Sequence, residues 1–289
     1  MALTFTDFPL DHAGLKRSDP AWIEEQLNHP DARAVLFAGA DLACDERGRD
    51  MILPARRTRM LPMKRPGLVF LGLSGGAPWF AGSLEEGVAQ QGPDFRISAI
   101  NAEPEIACIF ARARSLLAWH GRRRYCSNCG SSDMTALDGG TRLNCQGCGM
   151  AHFPRVDPSV IMLPVAGDKC VMGRQASWPD GLYATLAGFI EPGETLEQAC
   201  RRETEEEIHR PVTRVEYVTS QPWPFPSSLM IGLMCEIEPG EVIPDDDLED
   251  ARWFTRDEVR AIYQGEVAKW APANFSISRL LIDRWLEAG

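Results

Sequence analysis

No stretch of this chain approaches the roughly 18 consecutive apolar residues that a bilayer-spanning helix requires, which argues against an integral helical membrane protein. The first residues lack the basic cluster and apolar run of a secretory leader and carry Asp7 and Asp11 instead. The expectation is a cytoplasmic protein. Positive charge is in deficit, with 30 Lys and Arg against 41 Asp and Glu and a net charge of -11. That balance argues against broad, charge-driven binding to nucleic acid or anionic membrane and leaves only a local basic patch open. The nine cysteines cannot all pair within one chain. An odd set suits a reducing compartment, where some thiols bind metal and others pack. What is present suffices for two or three domains with buried cores, since 44% of the 289 residues are hydrophobic.

Up to about Ala102, short apolar runs alternate with turn residues. Val35-Leu36-Phe37, Met51-Ile52-Leu53, Leu68 to Leu73 and Trp79-Phe80-Ala81 read as strands, with Gly67 and Gly75-Gly76 as breakers. Arg56, Arg57 and Arg59 fit a solvated loop better than a phosphate contact. Cys44 has no second Cys or His at metal spacing and reads as a packed or free thiol. From Pro104 to His120 the period becomes helical, with Ile106, Ile109, Phe110, Ala113, Leu116 and Leu117 on one stripe, Cys108 beside it and Gly121 just past the end.

Two C-x-x-C pairs follow, Cys126/Cys129 and Cys145/Cys148, with fifteen residues between them and a glycine after each. This spacing reads as a four-thiolate zinc site, closed to substrate and therefore structural; a redox pair or disulfides are the rival readings. His152 is an extra ligand, a packing residue or a substrate contact, and Arg122-Arg123-Arg124 is a solvated run or a guide for a polyanion. The expected segments are 1–121 as an N-terminal β-rich α/β domain, 122–153 as a zinc ribbon, and 154–289 as the domain carrying the chemistry.

In that last segment Val160 to Leu163 and Cys170 to Met172 read as strands paired around Gly167-Asp168, and Leu182 to Ala187 as a strand delivering Gly188 to a loop. Thr195 and Gln198 have capping-box spacing, so a helix is expected to start after Thr195. At about 3.6 residues per turn, its stripe of Leu196, Ala199 and Cys200 continues onto Glu203, Glu206 and Glu207, with Glu205 opposite. A Glu-rich helix is commonly a solvated face. Carboxylates gathered on an inward face instead repel one another unless a cation intervenes, and a hard divalent ion is the simplest candidate. Val215 to Ser220, Leu229 to Glu236 and an amphipathic helix from Ile277 to Leu286 complete the expected elements.

Gly188, five residues, Glu194, seven residues and then Arg202-Glu203-Thr204-Glu205-Glu206-Glu207 resembles the Nudix box. The departures are Thr204 and Arg210, where the family has aliphatics, and His209, where it has Gly; Pro211 then stops the helix. Ser220-Gln221-Pro222-Trp223-Pro224-Phe225-Pro226, whose prolines read as a rigid extended loop, resembles the motif of the NADH pyrophosphatase branch. That branch also has a zinc ribbon between an N-terminal domain and the Nudix domain. The resemblance implies an α+β fold, a Nudix α/β/α sandwich with a mixed sheet, and hydrolysis of NADH and NAD⁺ to nicotinamide mononucleotide and AMP.

By the same resemblance Glu203, Glu206 and Glu207 bind Mg²⁺ or Mn²⁺, and Arg202 orients a box carboxylate, with Glu194 as its candidate partner. Asp247 stands where the family has a further metal-binding Glu; Glu249 and Asp250 are alternatives. Phe153, Phe189 and Trp223 become base-stacking or wall residues, with Gln221, Ser228 and Ser278 as polar contacts. Phe153 and Phe189 fit a core equally well, and a homodimer is expected on resemblance alone. The alternatives are removal of NAD caps from RNA and a non-catalytic nucleotide-binding regulator.

Overall fold

The computed structural model describes residues 3–245, 247–265, 273 and 275–288. The chain forms two compact units. One comprises Phe5–Val156 with Pro224–Ser227, the other Met1–Thr4, Asp157–Trp223 and Ser228–Gly289. From Phe5 onward, the segments expected as N-terminal domain and ribbon thus fall in one unit.

In the first unit α1 (Pro20–Asn28) precedes β1 (Arg33–Ala38), β2 (Asp41–Cys44) and β3 (Ile52–Pro54). A 3₁₀ turn (Ala55–Met60) leads to β4 (Val69–Ser74), β5 (Ala77–Ser83), β6 (Gln90–Gln91), α2 (Phe95–Asn101) and α3 (Pro104–Arg122). The sheet runs β4-β5-β1-β2-β6 with β3 also on β1. β1 and β5 are parallel and the other pairs antiparallel. α3 buries the expected stripe, packing Ile109, Phe110, Ala113, Leu116 and Leu117 with Val35, Phe37, Val69 and Leu71. It runs one residue past Gly121, and its end is closed by the Arg123 amide donating to Trp119 O. A three-stranded antiparallel ribbon follows, made of β7 (Met134–Leu137), β8 (Arg142–Cys145) and β9 (Ala151–His152).

The second unit contains β10 (Asp157–Ala166), β11 (Lys169–Arg174), β12 (Leu186–Phe189), α4 (Leu196–Ile208), β13 (Val212–Trp223), β14 (Ser228–Ile237), β15 (Asp250–Thr255), α5 (Arg256–Tyr263) and α6 (Ile277–Glu287). Its mixed sheet runs β13-β14-β10-β11-β15 with β12 also on β10, and β10 pairs in parallel with β14. β10 is apolar on both faces because both are covered. Val160 and Met162 meet Ala199, Cys200 and Ile208 of α4. Ile161 and Leu163 meet Val259 of α5 and Leu281, Ile282 and Trp285 of α6. This is the expected sandwich.

The proline-rich segment differs from the expected loop. Gln221, Pro222 and Trp223 extend β13, with Trp223 opposite Ser228 on β14, and only residues 224–227 turn. β13 is an edge strand, where a proline forfeits no ladder hydrogen bond.

Candidate active site and metal centre

The box loop and helix form as their local chemistry dictates. Thr195 caps α4 and its capping box with Gln198 is complete. At the other end His209 takes the left-handed conformation (φ 52°, ψ 41°) and its amide donates to Glu205 O at 2.9 Å. The conformation that glycine would adopt freely is thus filled by histidine.

Arg202 organises the loop. Nε and Nη2 donate to the two oxygens of Glu194 at 2.7 and 2.9 Å, the bidentate pair expected. Nη2 also donates to Phe189 O at 2.8 Å, and Nη1 to Glu203 at 2.7 Å and Glu206 at 3.0 Å. The Arg202 hydrogen bonds, joined by the Glu191 amide, hold the Glu194 carboxyl down at about 2. Gly188 explains itself at the next step. A β-carbon there would lie 1.8 Å from the Glu203 carboxyl carbon, so the strand approaches the helix closely enough that only hydrogen fits.

The carboxylates do not all face inward. The stripe that α4 buries is Ala199, Cys200, Thr204 and Ile208, since Thr204 sits in the core with Oγ1 4.0 Å from Cys235 Sγ. Glu203 and Glu207 flank that stripe half-buried, while Glu206 is exposed and held by Arg202. Burial pushes Glu203 up. Glu207 is pushed up to about 8, first by burial and then by the charges of Glu203, Asp247 and Glu206, against the opposing Ala187 amide. Its Oε2 is buried without a hydrogen-bond partner. A buried acceptor with no donor is costly, and here it lies among further carboxylates. Hard oxygen donors of this kind suit Mg²⁺ or Mn²⁺. Of the candidate acids Asp247, Glu249 and Asp250, Glu249 pairs with Arg174 and Asp250 accepts from Tyr183. Asp247, exposed, is the one whose charge is felt at Glu207.

The four ribbon thiols converge in the first unit. Sγ of Cys126, Cys129, Cys145 and Cys148 all lie within 4.8 Å of one another, the only such cluster of at least three metal-binding groups among the described residues. Cys126 and Cys148 are 3.7 Å apart, and Cys129 and Cys145 are 3.5 Å apart. With Zn–S bonds of about 2.3 Å, a tetrahedron has edges of roughly 3.8 Å, so the thiols fit that ion. The two knuckles repeat each other. The amides of Gly130 and Gly149 donate to the carbonyls of Cys126 and Cys145 at 2.9 and 2.8 Å, and both glycines have φ of +75°. No cysteine is in a disulfide. His152 is buried with Nε2 3.3 Å from Cys126 Sγ, so it serves the thiol cluster.

The expected substrate contacts divide. Phe189 and Phe153 expose their rings, 60% and 64% respectively, so neither is core; Phe153 belongs to the first unit and Phe189 to the second. Trp223 is half-buried and stacks on Phe275 (6.4 Å, 13°), with half-buried Ser228 opposite in the ladder. Gln221 and Ser278 are corrections. Gln221 is fully buried, with Nε2 donating to Thr4 O and Phe275 O and Oε1 accepting from the Ile277 amide, each at 2.9 Å. Ser278 is buried with Oγ accepting from Thr185 N (3.2 Å) and bonded to Thr185 Oγ1 (2.9 Å). Both side chains are spent on holding the start of α6, and their partners are distant in sequence. Sequence reasoning missed Arg174, the buried cation among the acids flanking the site; an arginine ending an apolar strand was the available signal.

Residues 155–279 match the family model of the NUDIX domain, and residues 31–119 match that of the NADH pyrophosphatase-like rudimentary NUDIX domain. Over 193 residues the chain is 44% identical to the NAD-capped RNA hydrolase NUDT12 of Homo sapiens, covering 63% of this chain and 42% of that one. Over 185 residues it is 38% identical to the NAD-capped RNA hydrolase NudC of Stutzerimonas stutzeri, covering 64% of this chain and 63% of that one. A NudC of Pseudomonas aeruginosa is 40% identical over 180 residues, covering 62% and 61%. The matched region thus spans less than two thirds of each of these relatives.

Proposed function

We propose that this chain, which belongs to the Nudix hydrolase superfamily and within it to the NADH pyrophosphatase family, hydrolyses the pyrophosphate bond of NADH and NAD⁺. The observation that carries the reading is the buried, partnerless Oε2 of Glu207 beside Glu203 on a helix whose box arginine is fully engaged. Glu203, Glu206, Glu207 and Asp247 would hold Mg²⁺ or Mn²⁺. Bound there, such an ion neutralises pyrophosphate oxygens and activates water.

In the overall reaction a water oxygen bonds to one phosphorus, the bond from that phosphorus to the bridging oxygen breaks, and the other phosphate keeps that oxygen. The products are AMP and reduced or oxidised nicotinamide mononucleotide. Arg202 keeps Glu203 and Glu206 in register with the loop, and Glu194 keeps Arg202. Glu207, with its carboxyl near 8, gives up its proton on loading, so binding tightens as pH rises. In the second unit the exposed ring of Phe189 and the half-buried Trp223 offer flat faces to bases. Structural zinc is assigned to Cys126, Cys129, Cys145 and Cys148.

Removal of NAD caps from RNA is the second reading, favoured by the names of the relatives above; it breaks the same bond in a longer substrate. A non-catalytic regulator is disfavoured because every charged box position is filled. No helix among the described residues is long and apolar enough to cross a membrane, which is compatible with a cytoplasmic site of action. The homodimer is tested by sedimentation.

The deciding experiment incubates the protein with NADH and Mg²⁺ or Mn²⁺ and separates the products. AMP and reduced nicotinamide mononucleotide are expected from the wild type and not from Glu207→Gln. Absence of AMP with every divalent ion would end the hydrolase reading. Comparing kcat/KM for NADH, NAD⁺ and NAD-capped RNA then ranks the three substrates.

A further inference from the structure

Arg174 ends β11 in register with Asp250 of β15, and it is a buried cation, 8% exposed. Nη1 pairs with Glu249, while Nη2 donates to Trp178 O at 3.2 Å and lies 3.7 Å from Asp180. Nε is buried without a partner, so all of the side chain's polar contacts go to the segments on either side of β11. The main chain adds to this, because the Glu249 amide donates to Arg174 O at 2.9 Å.

What Arg174 grips is the stretch that carries Asp247. The Asp245 amide donates to Glu207 O at 3.1 Å, and the Leu248 amide donates to Asp245 O at 2.8 Å. Leu248 lies over Gly173, where a β-carbon would come within 3.0 Å of its Cδ1. Asp247 is therefore strung between two anchors, one on the end of α4 at Glu207 and the other at Arg174. A carboxylate on an exposed connection has many orientations open to it, and fixing both flanks removes most of them.

We propose that Arg174 is a positioning residue for the cation site: by clamping Glu249 through side chain and main chain, it presents Asp247 to the carboxylates of α4. This rests on the assignment of a divalent ion to Glu203, Glu206, Glu207 and Asp247 made above. Outer groups that orient metal-binding side chains commonly contribute 10- to 100-fold in affinity. The clamp accounts for a charged residue buried at a strand end, and for the engagement of Glu249 while Asp247 two residues earlier stays exposed.

The test is Mn²⁺ binding, read from the electron paramagnetic resonance of the free ion, with a thermal melt to establish folding. Arg174→Met is expected to weaken Mn²⁺ binding about 10-fold and Asp247→Asn by at least as much. The double variant should bind no more weakly than Asp247→Asn alone, since both changes break one arrangement. Arg174→Lys should recover part of the loss. Glu249→Gln opens the same clamp from its half-exposed side without emptying a buried position, and should weaken Mn²⁺ binding even if Arg174→Met fails to fold. Folded Glu249→Gln with wild-type Mn²⁺ affinity, or losses from Arg174→Met and Asp247→Asn that add in full, would overturn the proposal. If instead Glu207→Gln binds Mn²⁺ as the wild type does, the cation site itself is misassigned and the clamp falls with it.

Discussion

The sheet of residues 33–91 and the sheet of residues 157–255 are threaded alike. In each, the first strand pairs antiparallel with the second and third and in parallel with the fifth; the fourth joins the fifth and the sixth joins the second, both antiparallel. They part company between the third and fourth strands. There the second unit inserts α4 with its carboxylates, and the first has only the 3₁₀ turn Ala55–Met60, which brings Arg56, Arg57 and Arg59 and no acid. The strands before these insertions differ too. Counted back from the last residue of each, Leu53 stands in β3 where Gly188 stands in β12. The sheet is thus a scaffold that either sequence can form, and the chemistry belongs to one insertion and to one missing side chain beside it.

That contrast is broken or sharpened by substitutions in each unit. The largest effect is expected from Glu207→Gln, which should lower kcat for NADH roughly 10²- to 10⁴-fold, while Arg56→Ala and Arg57→Ala in the matching slot leave it within about twofold. A comparable loss from the arginine variants would mean that the first sheet also takes part. Next comes Cys126→Ser, which should release zinc and lower the melting temperature by about 10 °C or more, whereas the activity that survives keeps its need for a divalent ion. Loss of that need along with zinc would show that the two metal sites had been wrongly separated.

A smaller effect is a pH dependence confined to the second unit. The Glu207 carboxyl lies at about 8 when folded against its ordinary 4.5. The folded protein holds this proton more tightly than the unfolded chain, so its contribution is complete below 4.5 and is lost as pH rises through 8. Without divalent ions, stability should fall by roughly 2–4 kcal/mol across that window. Glu207→Gln should flatten the fall, and Mg²⁺ should oppose it most at the alkaline end, as followed by urea titration. A slope unchanged in Glu207→Gln would place its cause elsewhere. The smallest effect is expected from Gln221→Leu. Stranding the buried Ile277 amide and the part-buried carbonyls of Thr4 and Phe275 should cost about 1–3 kcal/mol in stability. A change confined to KM would return Gln221 to the substrate.

Local order was legible in the sequence and long-range partnership was not. The capping box at Thr195, the glycines after each cysteine pair and the doubly apolar β10 all carry their cause within a few residues. Gln221 reads as an exposed polar residue among prolines until Thr4 and Phe275 arrive to use its amide. The phase of α4 failed for a related reason. Periodicity alone extends the stripe onto the glutamates, but Thr204, polar by type, packs inward beside Cys235 and Ile208 closes the row. The shared threading of the sheets is a matter of pairing order, which neither composition nor periodicity records. Arg174 could be seen as an arginine closing an apolar strand, but its partners at 178, 180 and 249 could not.

Gly188 limits how such a site can be acquired. An acidic helix grafted after β3 would bring its carboxylate against the side chain of Leu53 and be pushed off the strand before any ion could be shared. The vacancy must therefore precede the charge. A chain that gains a glycine first loses a little strand stability, about 0.5–1 kcal/mol, and keeps its fold, while one that gains the glutamates first gathers repulsion with nothing to relieve it. Read this way, the least conspicuous residue of the box is the one that makes the others affordable.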